Sequence, residues 1–264
     1  MAADTSASDT TPRVVRDVQR FGTIVVVGGG CYGSYYVRQL GRAERAGALA
    51  WERLTVVDRD PACAVARLPA IDRPTALEVH AADWRSWFGG YLASAAAEPE
   101  QHARDAIVPS PLMPHLVADW LLERARARWP GRSIRTAPLT SPPNVPWQRA
   151  GEDGTHYVSF ADWMCPINCV EPARCPHTKG DRSWSLPVAI GAYADEERTA
   201  GRPVGGPFVF HCAHRAFGVG MLDVRDIVAA DQAIATRAAD GPVDFLVGTA
   251  SHCHGALQRI VVGA

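Results

Sequence analysis

Apolar residues along this chain come in short runs, and the runs alternate with segments of helical spacing. Thr23-Ile24-Val25-Val26-Val27 is a continuous β-branched run, the pattern of a strand covered on both faces in a parallel sheet. Tyr36, Val37 and Leu40 then recur at helical spacing, and Gly47 is placed to end that helix. Leu54-Thr55-Val56-Val57 predicts a second strand, closed by Asp58. Residues 76–80 (ALEVH) and 105–108 (DAIV) predict a third and a fourth. Ser110 and Pro111 suit the cap and first position of a helix whose apolar face is Leu116, Val117, Trp120, Leu121 and Leu122, with Gly131 as its stop.

A proline-rich stretch, residues 137–147 (APLTSPPNVPW), reads as an irregular connection and the natural boundary between two halves. Beyond it, Phe208-Val209-Phe210 predicts a strand running into His211-Cys212-Ala213-His214. Residues 243–248 (VDFLVG) predict another, running into Ser251-His252-Cys253-His254. Residues 221–238, with Val224, Ile227, Val228 and Ile234 apolar, predict the helix between them. Strand, helix, strand implies parallel neighbours. Both His/Cys clusters then fall at one carboxyl edge, and a sheet shared by the two halves would bring the glycine loop to the same crevice. Ser251 suits the N-cap of a last helix, where with Thr249 it would bind an anion.

The fold class expected is therefore α/β: a Rossmann-like, mostly parallel sheet flanked by helices, with a Cys/His-rich C-terminal half. Residues 1–16 are small and polar and read as a disordered tail. Residues 17–136 form the nucleotide-binding half and 137–264 the metal-binding α/β half.

Composition narrows the function classes. The chain has 264 residues and a formal net charge of −1, and no basic tract stands out, so nothing asks for nucleic acid or an anionic membrane. Apolar runs are strand-sized, too short to span a bilayer. The start, MAADTSASDTTP, lacks the basic and apolar regions of a signal peptide, which points to a cytoplasmic protein. Seven cysteines, an odd number with no export signal, favour metal or redox chemistry over a disulfide framework.

Three of them lie within residues 161–178 (ADWMCPINCVEPARCPHT), spaced C-x3-C-x5-C at Cys165, Cys169 and Cys175. Pro166, Pro172 and Pro176 stiffen this loop and reduce the entropy lost in fixing it around an ion. Clustered thiolates suit an iron–sulfur cluster, here a 4Fe-4S cluster, although the spacing matches neither common ferredoxin pattern. Zinc is the alternative, since C-x3-C also suits a tetrahedral knuckle. Cys212 and Cys253 are candidates for a fourth thiolate. His211, His214, His252 and His254 are candidate proton donors, because imidazole titrates near neutral pH. His177, two residues past Cys175, reads as a loop residue that could serve zinc; His115 as a capping or surface residue. Cys31 reads as a small residue filling the glycine turn, and Cys63 as one without a chemical role. Arg182 and Trp184 are expected to pack over the site.

Gly28, Gly30 and Gly33 fit G-x-G-x-x-G between the first strand and the first helix, and Asp58 closes the second strand 25 residues after Gly33. On these four residues the first ~130 positions resemble Rossmann-type dinucleotide-binding domains. The resemblance implies a nicotinamide nucleotide, NAD(P), or a flavin nucleotide, FAD, with pyrophosphate on the glycine loop and ribose on Asp58. S-adenosylmethionine-dependent methyltransferases share strand, glycine loop and terminal acid and remain a competitor. The leading expectation is an intracellular oxidoreductase that pairs the nucleotide with the cluster, acts on a small-molecule substrate and passes electrons to a partner. Three alternatives stay open: a zinc-containing lyase or hydrolase, a nucleotide- and redox-sensing regulatory module, and a methyltransferase.

Overall fold

The computed structural model describes residues 17–163 and 165–264; the tail expected at residues 1–16 lies outside the described residues. In chain order the elements are β1 (Gln19–Val27), α1 (Cys31–Arg45), β2 (Leu49–Asp58), β3 (Leu77–Ala81), α2 (Trp84–Ala97), β4 (Ala106–Val108), α3 (Leu116–Arg128), β5 (Ile134–Ala137), β6 (Trp147–Ala150) and β7 (His156–Ser159). They continue with α4 (Leu186–Thr199), β8 (Gly205–His211), β9 (Ala213–Ala216), β10 (Val219–Asp223), α5 (Val224–Arg237), β11 (Val243–Ala250) and β12 (His254–Val262).

The fold is mixed α/β, but it has two sheets, and neither is purely parallel. The first runs β3-β2-β1-β4-β10-β9. Its first four strands are mutually parallel, whereas β10 joins β4, and β9 joins β10, antiparallel. The second runs β6-β7-β12-β11-β8, with β5 also on β12. Only its β8–β11 pair is parallel. The expected α/β class holds, whereas the single mostly parallel sheet is replaced by two mixed sheets. β9 and β10, from the later part of the chain, complete the first sheet. Residues 219–222 of β10 are all buried, as in a strand covered on both faces, so β10 sits inside the sheet and β9 forms its edge.

Side-chain parity sorts the layers. Val25, Val27 and Ile107 point to one face of the first sheet, and Ile24, Val26 and Val108 to the other. The first face packs on α2, α3 and α5, whose far side meets Phe245, Val247, Ile260 and Val262 of the second sheet. The opposite face of the first sheet is covered by α1 and by Cys63, Val65 and Leu68. The outer face of the second sheet is covered by Leu186, Ile190 and Tyr193 of α4. The order is therefore helix, sheet, helices, sheet, helix. Full burial of one such side chain, Phe245 for example, contributes about 1.5–3 kcal/mol.

Three local expectations change. α3 begins at Leu116, not at Ser110; residues 110–115 form turns held by Leu112 N donating to Ser110 Oγ (3.3 Å) and Met113 N to Ser110 O (3.0 Å). Pro111 and Pro114 keep that segment out of the helix, since each lacks the donor and restricts its predecessor. The helix expected over 221–238 starts at Val224, because Met221 and Leu222 belong to β10. No helix follows Ser251: the chain turns back as β12, antiparallel to β11. The Ser251 hydroxyl does accept backbone N–H groups, those of Cys253 (3.2 Å) and His254 (3.3 Å), but it caps a hairpin turn. No described helix is long and apolar enough to cross a membrane.

Candidate metal centre and glycine loop

Cys165, Cys169, Cys175 and Cys253 line one cavity of about 230 Å³, together with Trp163, Glu171, His177 and Arg182. Three of these thiols come from the stiff loop. The fourth arrives from the β11–β12 turn, and all are free. Three of the four are held by hydrogen bonds. Cys169 N donates to Pro166 O (2.9 Å), and Glu171 N donates to Cys169 Sγ (3.4 Å). Cys175 N donates to Gly180 O (2.9 Å), and Lys179 N returns to Cys175 O (3.0 Å). Cys253 O accepts from Phe160 N (2.9 Å), and its sulfur accepts from Trp184 Nε1 (3.3 Å). Trp163 stacks on His177 at the wall, with ring centroids 4.3 Å apart.

The surroundings of the cavity shift its thiols in different directions. Burial, followed by the neighbouring thiols of Cys169, Cys253 and Cys175, pushes the Cys165 thiol up to about 11. Burial also raises Cys253, against the hydrogen bond from Trp184. Cys175 goes the other way: the N–H of Thr178 holds its thiol below the ordinary value, with that of His177 adding to the effect. Several thiolates so placed repel one another unless a positive ion neutralises them.

Cys212 is separate from this group. It packs with the core between the sheets, and a Cβ on Gly220 of β10 would lie 2.5 Å from its sulfur. Burial pushes its thiol up to about 12. It follows the last residue of β8, so its side chain leaves the sheet on the face opposite to His211. Of the two candidates for a fourth thiolate, Cys253 lines the cavity and Cys212 does not.

The four candidate histidines divide into pairs. His211 and His252 meet at the carboxyl ends of β8 and β11, with ring centroids 4.7 Å apart. Donor atoms of Glu171, His211 and His252 all lie within 4.8 Å of one another. Glu171 is the one member of this group that the sequence pattern does not single out. Its signal is its position between the second and third cysteines of the loop, but its partners lie 40 and 81 positions away. The other pair anchors loops. His214 Nδ1 hydrogen-bonds Cys169 O (2.8 Å), and His254 Nδ1 hydrogen-bonds Ser159 Oγ (2.8 Å). Trp184 packs on the site as expected; Arg182 binds the backbone oxygen of Glu171.

The glycine loop leaves β1 and opens α1. Gly28 has φ +86°, a conformation that favours glycine, and a Cβ on Gly33 would overlap the carbonyl oxygen of Gly28. No atom lies within 4 Å of a Cβ built on Gly30. The carboxylate of Asp58 spans the turn, accepting from Gly29 N (2.7 Å) through Oδ2 and from Asp60 N (2.9 Å) through Oδ1. Cys63 is buried beside Gly29, whereas Cys31 is exposed. His115 precedes α3 with its Nδ1 buried and unpartnered.

Two features join the elements around this loop to the second sheet and to the cysteine loop. Val27, the residue before Gly28, and Thr249 of β11 line one narrow apolar hollow with Pro109 and Met113. The β9–β10 turn touches both regions: Gln39 of α1 donates to Phe217 O (3.3 Å), and Gly218 lies against Asn168 and Cys169.

Compared with known proteins, no curated protein and no solved structure matches the chain. A family model described as "Uncharacterized protein, C-terminal domain" matches residues 117–263, a stretch that carries the four cavity cysteines together with Glu171, His211 and His252. That match covers more than half of the sequence, and the chain belongs to this family.

Proposed function

We propose that this protein is an oxidoreductase that pairs a thiolate-bound iron–sulfur cluster with a nucleotide held at the glycine loop. The observation that carries the reading is the convergence of Cys165, Cys169, Cys175 and Cys253 on one cavity. An all-sulfur donor set selects zinc or an iron–sulfur cluster. The cluster is preferred to a single zinc ion on ligand type, since all four donors are thiols and three come from one short loop. Such a cluster supplies one-electron transfer. The chain's own part is to hold four sulfurs, to donate a hydrogen bond to Cys253 from Trp184, and to wall the cavity with Trp163 and the loop prolines.

The nucleotide half of the proposal rests on the first sheet. The parallel order β3-β2-β1-β4, with a glycine turn after β1 leading into α1, supports a Rossmann-like unit that takes NAD(P) or FAD. The α1 N-terminus and the open space at Gly30 suit a pyrophosphate. Asp58 already accepts two backbone N–H groups, yet each carboxylate oxygen keeps a further lone pair for a ribose hydroxyl. The substrate is then a small molecule that exchanges electrons in this region.

The test is a visible spectrum with iron, sulfide and zinc analysis on protein purified without oxygen, followed by titration with NADH and NADPH. Iron and sulfide with a broad band near ~400 nm support the reading. A colourless protein with one stoichiometric zinc overturns the redox half, and failure to bind NADH, NADPH and added FAD alike overturns the other.

A further inference from the structure

Beside the thiol cavity, Glu171, His211 and His252 form a second group of donors, and we propose that it binds a divalent transition-metal ion of its own. Their ligating atoms lie within 4.8 Å of one another. A zinc or ferrous ion held at about 2.0–2.2 Å needs donors about 3–3.6 Å apart, a closure within reach of small side-chain rotations. Two imidazoles and one carboxylate are a recurring three-ligand set for zinc and for non-haem iron, and both leave positions open to an outside ligand.

Four further observations bear on the group. His211 Nε2 is buried without a hydrogen-bond partner, and such an atom calls for one. His252 Nδ1 hydrogen-bonds Ser185 Oγ (3.3 Å), the kind of outer contact that fixes the ring of a metal-bound histidine. Glu171 is held at φ +49°, a region a glutamate rarely adopts, and this conformation persists because three contacts fix it. Arg182 binds its backbone oxygen, its N–H reaches Cys169 Sγ, and its Oε1 accepts from His252 N (3.1 Å). Finally, β8 and β11 pair in parallel with His211 opposite Ala250, so the two histidines stand on neighbouring strand ends of one rigid sheet.

The site uses none of the four cavity cysteines, so it stands whether those hold iron–sulfur or zinc. Glu171 borders both, which puts an ion with open positions next to the thiol centre.

The probe is Co2+, added without oxygen to protein whose thiol centre is already filled. The wild type is expected to take up one further equivalent. Its visible spectrum should show the weak bands of nitrogen and oxygen ligation, without the intense sulfur charge-transfer bands of a thiolate site. His211→Ala and Glu171→Gln should each weaken that uptake by at least ~10–100-fold, and Ser185→Ala by about 10-fold, with the iron or zinc of the thiol centre unchanged. Ser185→Ala and Glu171→Gln are conservative enough to report even where a histidine variant fails to fold. No further equivalent in the wild type, Co2+ bound with sulfur charge-transfer bands alone, or unchanged uptake in both conservative variants would overturn the assignment.

Discussion

His211 and His252, 41 positions apart in sequence, face one another with ring centroids 4.7 Å apart because β8 and β11 run side by side in the same direction. Every other ladder in the second sheet is antiparallel. The single parallel pair, joined through β9, β10 and α5, is what brings two His-Cys dipeptides to one edge. The chain turns differently after each. Beyond His211 it leaves for the first sheet, carrying Cys212 into the core. Beyond His252 it reverses into β12, and Cys253 stays at the cavity.

That difference gives the first prediction. Cys165→Ala, Cys169→Ala, Cys175→Ala and Cys253→Ala should each lower the bound metal to half of the wild-type content or less. Cys212→Ala should keep it and lose only stability, by about 1 kcal/mol for a small half-buried side chain. Metal analysis beside a urea melt reads both. Metal retained without Cys253 but lost without Cys212 would reverse the assignment of the fourth thiolate.

The glycine loop separates packing from binding. A methyl group on Gly33 would strike Gly28 O, a backbone atom that cannot turn aside. Gly33→Ala should cost about 3 kcal/mol, which lowers Tm by roughly 6–12 °C in a chain of this size. Gly30→Ala meets no atom within 4 Å and should move Tm less. Its methyl projects into the open space where a pyrophosphate would lie, so it should still weaken nucleotide binding. Calorimetry and a nucleotide titration on both variants check this. Equal affinity in Gly30→Ala and the wild type would remove the loop from the nucleotide proposal.

The inner strands of the first sheet are legible in the sequence because they are covered on both faces. Burial of every side chain leaves a continuous apolar run, as Ile24 to Val27 and Leu54 to Val57 show, and a glycine turn marks the exit. The hairpins of the second half are not legible. β6 is exposed throughout, and β9 is half-buried throughout, so neither shows an alternating pattern. The start of β12 reads as a helix because Ser251 caps a turn with the same hydroxyl chemistry that caps a helix. Cys165, Cys169 and Cys175 can be grouped by spacing alone. Choosing Cys253 over Cys212, and adding Glu171, requires knowing which strands are neighbours.

Glu197 makes acid stability a local question. Its carboxylate is 3% exposed and is gripped by Arg202, with Nε 3.1 Å from both oxygens, and this hydrogen bonding holds it below the ordinary carboxylate range. A carboxyl with a lowered folded pKa adds stability above its unfolded pKa of about 4.3, and that stability disappears as pH falls through the folded value. Between about pH 5 and 3 the wild type should therefore lose stability more steeply than Glu197→Gln, whereas the variant should be the less stable protein at pH 7. Urea midpoints across that range measure both slopes. Parallel slopes would show that other carboxylates dominate the acid transition.

Trp184 tests whether the centre is redox-active through a bond that does not ligate it. Its indole N–H donates to Cys253 Sγ at 3.3 Å, and it stacks on Phe160, with ring centroids 6.4 Å apart. Hydrogen bonds to a ligating sulfur stabilise the reduced, more negative state and raise the potential. Trp184→Phe keeps the aromatic packing and removes the donor. A hydrogen bond of this kind is worth about 0.5–1.5 kcal/mol, so the midpoint potential of a one-electron centre should fall by up to about 60 mV. The iron content should hold, because all four thiols remain. Measured by a spectroscopic redox titration, a lower potential at constant iron places Cys253 on the redox centre. An unchanged potential means that the sulfur accepting this bond does not ligate the group that takes up the electron.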